Sequence, residues 1–238
     1  MKIIDKFVAK QNNYLSERTP TIAFFGDSVT HGCFEIYMKN GKLETVVDTK
    51  SAYHEKVRKI FNVLYPDVPI NIINAGISGD TADNARDRLQ RDVISYNPDL
   101  TIVCFGLNDA MKGFDGIELY KEALSDIFTR IKKADSDVIF MTPNLVTDTA
   151  EIPFGDEMLD DAVASVIDNR KWFSEYIDAA RVIASENNVP ICDCNKIWIK
   201  LSECGVNINN LLSNRINHPT REMHMLFAYE TVKTILEN

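Results

Sequence analysis

The sequence predicts a three-layer α/β/α fold built around a parallel sheet of five strands. Its 238 residues suit a single domain that buries one sheet between two helical layers. Short apolar runs of strand length alternate along the chain with longer segments of helical periodicity, which is typical of βαβ units. These runs are apolar throughout, which indicates strands covered on both faces. We expect one domain over residues 1–238, without internal repeats or linkers.

The strands and helices alternate in a regular order. Right-handed crossovers between parallel strands place helices on both faces of the sheet. The predicted strands are 21–25, 68–73, 100–105, 137–142 and 189–192. The predicted helices are 51–64, 82–93, 116–133, 161–187 and 219–236.

Two segments interrupt this alternation. In 33–48, the pair Asn40-Gly41 suits the positive φ angles of a type I′ turn, which predicts a hairpin inserted after the first strand. We expect it to be a surface feature, the alternative being a wall of a substrate pocket. The segment 143–160 leaves the carboxyl end of the fourth strand, where ligands of open α/β sheets bind. It is either a lid over the site or a plain loop.

Composition excludes several classes of protein. The 45% hydrophobic and 26% charged residues are ordinary for a globular protein, and no apolar run approaches the ~20 residues that span a bilayer. The formal net charge of −9 argues against a nucleic-acid partner. Residues 1–10 lack the apolar stretch of a secretory signal, so we expect a cytoplasmic protein without membrane insertion.

The cysteines do not have the spacing of a metal site or a disulfide scaffold. Cys192 and Cys194 supply only two ligands, and we expect free thiols in a reducing compartment. The five cysteines are Cys33, Cys104, Cys192, Cys194 and Cys204.

Four short motifs carry the candidate chemistry. Gly26-Asp27-Ser28 directly follows the first strand, so Ser28 is expected at the carboxyl edge of the sheet. The other three are Asn74-Ala75-Gly76-Ile77-Ser78-Gly79-Asp80-Thr81, Gly106-Leu107-Asn108-Asp109 and Asn217-His218-Pro219. Together, in this order, they resemble the SGNH subgroup of the GDSL esterase and lipase family, which has a flavodoxin-like fold. The resemblance covers nearly the whole chain.

The resemblance assigns a role to one residue of each motif. It implies that Ser28 is the nucleophile, His218 the general base, and Gly79 and Asn108 donors to the oxyanion. A serine hydroxyl needs a base to become nucleophilic, and the tetrahedral intermediate needs convergent N–H donors, here including the backbone N–H of Ser28. The family aspartate beside the serine orients the turn, so Asp27, like Asp109, is expected to be structural.

Other histidines are weaker candidates for the base. His31 shares the first helical turn with Ser28, His54 falls in a polar helix, and His224 is expected to pack inside the last helix. Proline is favoured at the first position of a helix, so Pro219 predicts that His218 lies in a loop at a helix start.

One residue departs from the family pattern. The family has an aspartate three residues before the histidine, and this chain has Arg215. Its place can be taken by an oxygen of Ser213, Asn214 or Asn217, by a carboxylate elsewhere, or by nothing. We expect a Ser-His dyad in which the second imidazole nitrogen donates to an oxygen of the 213–217 loop, with Arg215 turned outward or binding substrate.

These residues together predict a metal-independent serine esterase that needs no cofactor. The expected substrates are small esters of short acyl groups, particularly acetyl groups on sugars. A lysophospholipase or acyl thioesterase is the alternative within the same chemistry, and it needs an apolar groove that includes Val146, Ile152, Phe154 and Met158. The alternative outside it is a binding protein on the same scaffold that has lost catalysis.

Overall fold

The computed structural model describes residues 1–149 and 157–238, and its centre is a five-stranded parallel sheet. The sheet strands are β1 (Thr21–Gly26), β4 (Asn71–Gly76), β5 (Leu100–Cys104), β6 (Asp137–Met141) and β7 (Ile191–Cys192). Their spatial order is β4-β1-β5-β6-β7. Numbered along the chain within this sheet, that order is 2-1-3-4-5, the flavodoxin-like arrangement. The predicted fold class is confirmed.

The helices cover both faces of the sheet. They are α1 (Lys2–Asn12), α2 (Ser28–His31), α3 (Tyr53–Leu64), α4 (Ala82–Asp92), α5 (Ile117–Lys133), α6 (Glu157–Glu186), α7 (Cys194–Glu203) and α8 (His224–Glu237). Helices α1 and α8 pack against α3, and α5 packs between α4 and α6. The direction of the crossovers reverses after β4, so right-handed connections place these two groups on opposite faces. Every residue of β1 is buried between them.

The order of strands places the candidate site. The chain leaves β1 for β4 on one side and returns to β5 on the other, which creates a topological switch point at the carboxyl end of β1. Ligands of open α/β sheets bind at such a point. The register pairs Gly26 with Gly76 and with Cys104, so the residues that follow these three strands share one edge.

The predicted hairpin is present. It consists of β2 (Cys33–Lys39) and β3 (Lys42–Val47), which pair antiparallel in a separate two-stranded sheet. Asn40 and Gly41 have φ angles of 55° and 72°, as a type I′ turn requires.

Several predicted boundaries were wrong. Strand β4 begins at Asn71 and not at 68, because Pro69 has no N–H to donate to the ladder. Helix α8 begins at His224 and not at 219, because Pro219 is extended and forms a β-bridge with Leu212. Helices α1 and α7 were not predicted. None of the described helices is long and apolar enough to cross a membrane, and all five cysteines are free thiols.

Candidate active site

Ser28 occupies the turn from β1 into α2. This turn is tight: a Cβ atom on Gly26 would lie 2.6 Å from the carbonyl oxygen of Cys104, and one on Gly76 would lie 2.2 Å from the backbone nitrogen of His31. Only glycine fits at either position, so α2 packs directly onto the ends of β1 and β4. Ser28 is the first residue of α2 and is 3% exposed.

His218 lies against Ser28. Its Nε2 is 3.0 Å from Ser28 Oγ, and its Nδ1 is 2.8 Å from the carbonyl oxygen of Phe34. A carbonyl oxygen can only accept, so in the neutral ring Nδ1 carries the proton and Nε2 is free to accept from the serine hydroxyl. Burial lowers the pKa of His218, and the hydrogen bond to Phe34 opposes that shift. The imidazole is therefore neutral at physiological pH.

The partner of His218 differs from the expected one. It was predicted in the 213–217 loop, but it is the backbone carbonyl of Phe34 in β2. The loop serves instead to shape the backbone: Oδ1 of the buried Asn214 accepts hydrogen bonds from the N–H groups of Ile216, Asn217 and His218. Arg215 is exposed, with a φ of 55°.

Asn108 and Gly79 lie beside each other at the same sheet edge. The side-chain amide of Asn108 donates to the carbonyl oxygen of Asp80 at 2.8 Å, which leaves its second N–H for another acceptor. Gly79 has a φ of 78°, which favours glycine. Within residues 1–149 and 157–238, the backbone N–H groups of Ser28 and Gly79 have no protein acceptor. Each of these three N–H groups can therefore donate to another acceptor.

Arg88 of α4 is a residue that sequence reasoning missed. Its guanidinium pairs with Asp80 at 2.6 Å and also donates to the carbonyl oxygens of Ala75 and Gly26. It therefore links the ends of β4 and β1 to the turn that carries Gly79. An arginine on the buried side of a helix, in register with Ala85 and Leu89, was the signal that could have revealed it.

Asp27 and Asp109, which were expected to be structural, each accept a hydrogen bond at the start of a helix. Asp27 Oδ1 accepts from the N–H of Val29 at the start of α2, and Asp109 Oδ1 accepts from the N–H of Ala82 at the start of α4. The second oxygen of each buried carboxyl has no partner in the described chain. Burial raises the pKa of each to about 7. Among the described residues, no group of His, Cys, Asp or Glu has the geometry of a metal site.

Among the described residues, none of the other histidines forms a hydrogen bond with Ser28. His224 is fully buried, accepts from the N–H of Tyr53, and has its pKa lowered by burial to about 3. His54 was expected on a polar helix but is 2% exposed, and burial lowers its pKa to about 4. The Nδ1 of His31 lies 3.8 Å from the Sγ of Cys33.

An apolar cavity of about 310 Å³ adjoins Asn108. Val146, from the predicted loop 143–160, contributes to its wall, and none of its described lining residues comes from the hairpin. Ile152 and Phe154 of the same loop lie outside the described residues, and Met158 is exposed. The lining residues are Leu107, Asn108, Ala110, Met111, Val146, Ser165, Val166, Asn169, Arg170, Phe173, Ile216 and Asn217.

A hydrogen-bonded serine and histidine at the switch point of a flavodoxin-like sheet is an arrangement that suits a serine hydrolase. The model of the GDSL-like lipase/acylhydrolase family matches residues 24–226, and the chain belongs to this family. An acetylxylan esterase of Geobacillus stearothermophilus is 23% identical over 223 residues, which are 90% of this chain and 93% of that protein. An arylesterase of Vibrio mimicus is 32% identical over 107 residues, or 42% of this chain and 53% of that protein.

Solved structures share the fold. The acetylxylan esterase of G. stearothermophilus superposes with a TM-score of 0.68 at 21% identity, over 91% of this chain and 94% of that one. A gut microbial diltiazem-metabolizing enzyme superposes with a TM-score of 0.67 at 21% identity, over 91% of this chain and 47% of that one. The family and these relatives make the chain a carboxylic ester hydrolase of the SGNH type.

Proposed function

We propose that the chain hydrolyses esters through an acyl-enzyme formed on Ser28, with His218 as the base. The observation that carries this proposal is the 3.0 Å contact between Ser28 Oγ and His218 Nε2, in a ring whose other nitrogen is bonded to a carbonyl. That second bond fixes the tautomer in which Nε2 can accept a proton.

The reaction follows from this geometry. Ser28 Oγ attacks the ester carbonyl carbon while its proton passes to His218 Nε2. The resulting intermediate collapses, the bond to the alcohol oxygen breaks, and the imidazolium returns the proton to that oxygen. A water then gives a proton to Nε2 and attacks the acyl-enzyme, and the proton returns to Ser28 Oγ as the acid leaves. The Phe34 carbonyl stabilises the imidazolium through Nδ1–H, as a dipole rather than as a full charge.

The oxyanion is stabilised by the donors described above. In this proposal the backbone N–H groups of Ser28 and Gly79 and the side-chain amide of Asn108 donate to the ester oxygen as it becomes negative. Each such donor contributes on the order of 3 kcal/mol to the transition state in comparable sites. The bond from Asn108 to the Asp80 carbonyl orients its amide before substrate arrives.

For the substrate we favour short acyl esters, with acetyl groups on carbohydrates as the first class to test. The support is the acetylxylan esterase of G. stearothermophilus, which is similar over 90% of this chain. A lysophospholipase or acyl thioesterase is a second candidate, because the apolar cavity beside Asn108 has room for more than a methyl group.

The test uses p-nitrophenyl esters from acetate to palmitate with wild type, Ser28→Ala and His218→Ala. We expect kcat to fall by about 10⁴-fold or more in both variants, because nucleophile and base act as a unit. His31→Ala is the matched control: it removes an imidazole three residues from Ser28 and should leave kcat unchanged. Wild-type turnover in Ser28→Ala would contradict the proposal.

The chain-length profile separates the two substrate classes. A preference for acetate, together with acetate release from acetylated xylooligosaccharides, supports the carbohydrate esterase. A preference for octanoate or longer chains, with turnover of a lysophospholipid or an acyl thioester, supports the second candidate.

A further inference from the structure

We propose that Arg221 is a positioning residue for catalysis, which holds the carbonyl of Phe34 against His218 through ion pairs to both ends of the β2–β3 hairpin. This inference rests on the proposed roles of Ser28 and His218. In the family an aspartate side chain orients the histidine. In this chain the hairpin and Arg221 would orient His218 instead.

The hairpin alone does not fix this carbonyl. Cys33 pairs with Val47, and the next pair in the ladder is Ile36 with Thr45, so the register shifts across Phe34. Such an irregularity leaves backbone groups unpaired and re-aims them, and it is often found beside active sites. Here Phe34 has no Cα partner in the register of the ladder, and its carbonyl bonds to His218 Nδ1.

Arg221 holds the hairpin from the other side. Its guanidinium donates from both terminal nitrogens to the carboxylate of Glu35, with Nη2 at 3.0 Å from Oε2. Its Nε donates to Asp48 Oδ2 at 3.2 Å. Glu35 directly follows Phe34, and Asp48 directly follows β3, so one guanidinium ties the two ends of the hairpin together. We call Arg221, Glu35 and Asp48 the hairpin clamp.

The clamp also contacts Phe34 itself. The guanidinium carbon of Arg221 lies 4.3 Å from the centre of the Phe34 ring. The centre of the His224 ring lies 4.9 Å from the centre of the Phe34 ring. Arg221 is only three residues beyond His218. Arg221 thus connects the backbone around His218 to the backbone around Phe34. A bidentate guanidinium restricts the relative position of these two segments better than an ammonium group would.

The clamp remains ionised over a wide range of pH. The hydrogen bond from Arg221 lowers the pKa of Glu35, and hydrogen bonds from Ser51 and then from Arg221 lower that of Asp48. The Arg221 side chain is 32% exposed, so its pairs contribute little to global stability. A positional role therefore predicts a loss of activity larger than the loss of stability.

The charged groups around His218 affect its pKa, so the test variant must keep their net charge unchanged. The His218 imidazole contacts the Ser28 hydroxyl and the Phe34 carbonyl. The titratable and charged groups on the neighbouring elements include Asp27 beside Ser28, the buried, neutral His224 and the hairpin clamp. Removal of Arg221 alone would leave two unpaired carboxylates, which would raise the pKa of His218 and mask the effect of a lost hydrogen bond. Arg221 and Glu35 must therefore be neutralised together.

The test compares wild type with the double variant Glu35→Gln/Arg221→Met, which keeps the net charge. If the clamp positions Phe34, loss of the Nδ1 hydrogen bond lowers the pKa of His218. The acid limb of the kcat/KM profile then moves to lower pH, and kcat falls by up to about 100-fold with KM little changed.

The matched control is Asp178→Asn/Arg181→Met. Arg181 also pairs with two carboxylates, those of Asp178 and Asp193, and its side chain is 27% exposed, but it does not contact the site. This control should keep the wild-type pH profile. An unchanged acid limb and kcat in Glu35→Gln/Arg221→Met, confirmed as folded by circular dichroism, would overturn the inference. Full activity of Ser28→Ala or His218→Ala would instead overturn the proposed function beneath it.

Discussion

Asp27 is next to the proposed nucleophile, yet its carboxyl group is only half satisfied. Oδ1 caps α2, while Oδ2 is buried without a partner in the described chain. Burial raises its pKa from 3.8 to about 7, and the charges of Asp109 and Asp80 add to that shift. The folded protein therefore retains a proton that the unfolded chain has lost. Its stabilising contribution is complete below pH 3.8 and disappears as pH rises through about 7.

Asp27→Asn tests this protonation state. The amide keeps an oxygen for the N–H of Val29 and cannot ionise, so we expect the variant to lose less stability than wild type as pH rises from about 4 to about 7. Urea midpoints at intervals across that range measure the difference. If the urea midpoint depended on pH in the same way in both proteins, Asp27 would already be ionised at the lowest pH of the series.

At the scale of elements, the turns around the site were predicted better than the contacts between them. Ser28, Asn108 and His218 each follow a recognisable local pattern, and the structure joins Ser28 directly to His218. The partner of His218 was not predictable in the same way, because it is a backbone carbonyl and any residue at position 34 would supply one. The turn signal Asn40-Gly41 predicted a hairpin, but nothing in its sequence showed that an irregular ladder would turn one carbonyl inward.

Arg88 shows how α4 supports the site. Its ion pair with Asp80 is buried, both side chains being 8% exposed, and it also bonds to two strand ends. We expect Arg88→Met to destabilise the protein by about 3–5 kcal/mol, because it leaves the carboxylate of Asp80 buried without its cation. Arg91→Met on the same helix is the control. That arginine is 73% exposed, and its loss should cost far less.

Urea unfolding followed by circular dichroism measures both changes. Adding Asp80→Asn to Arg88→Met should recover part of the stability, because the uncompensated charge is then removed. Equal losses in Arg88→Met and Arg91→Met would show that the buried pair does not hold the strand ends.

At the scale of the molecule, the sequence was sufficient to predict the three layers, but it did not predict every helix or the residue at which each helix begins. Continuous apolar strands identify a sheet covered on both faces, because no other arrangement buries both sides of each strand. The helix α1 was not predicted, since only Ile3 and Phe7 form its buried apolar stripe and charged residues separate them. The start of α8 was misplaced because Pro219 fits an extended bridge as well as a helix start. Tertiary contacts decide such cases.

Buried titratable groups determine how the stability of the whole protein depends on pH. Three buried histidines, His54, His218 and His224, have pKa values lowered by burial, so each stays neutral in the fold while the unfolded chain gains a proton below about pH 6.5. Their contribution to stability is present above that pH and is lost as pH falls towards their folded values. The buried Asp27 and Asp109 contribute in the opposite sense, because their contribution falls as pH rises from 3.8 to about 7. Below about pH 6.5 the three histidines outweigh the two carboxyls, and between about pH 6.5 and about pH 7 only the carboxyls act, so we expect maximal stability near about pH 6.5.

The variant His54→Phe tests the contribution of one of these histidines to the pH dependence of stability. Neither ring nitrogen of His54 forms a hydrogen bond in the described chain, and Nδ1 lies 3.7 Å from Glu55 Oε1. The ring packs against those of Phe24 and Tyr53. Phenylalanine keeps these ring contacts and cannot bind a proton, so the variant should lose less stability than wild type between about pH 6.5 and about pH 4. Its alkaline limb should stay unchanged, because Asp27 and Asp109 are untouched. An acid limb as steep as that of wild type in urea unfolding would mean that His54 is protonated inside the fold.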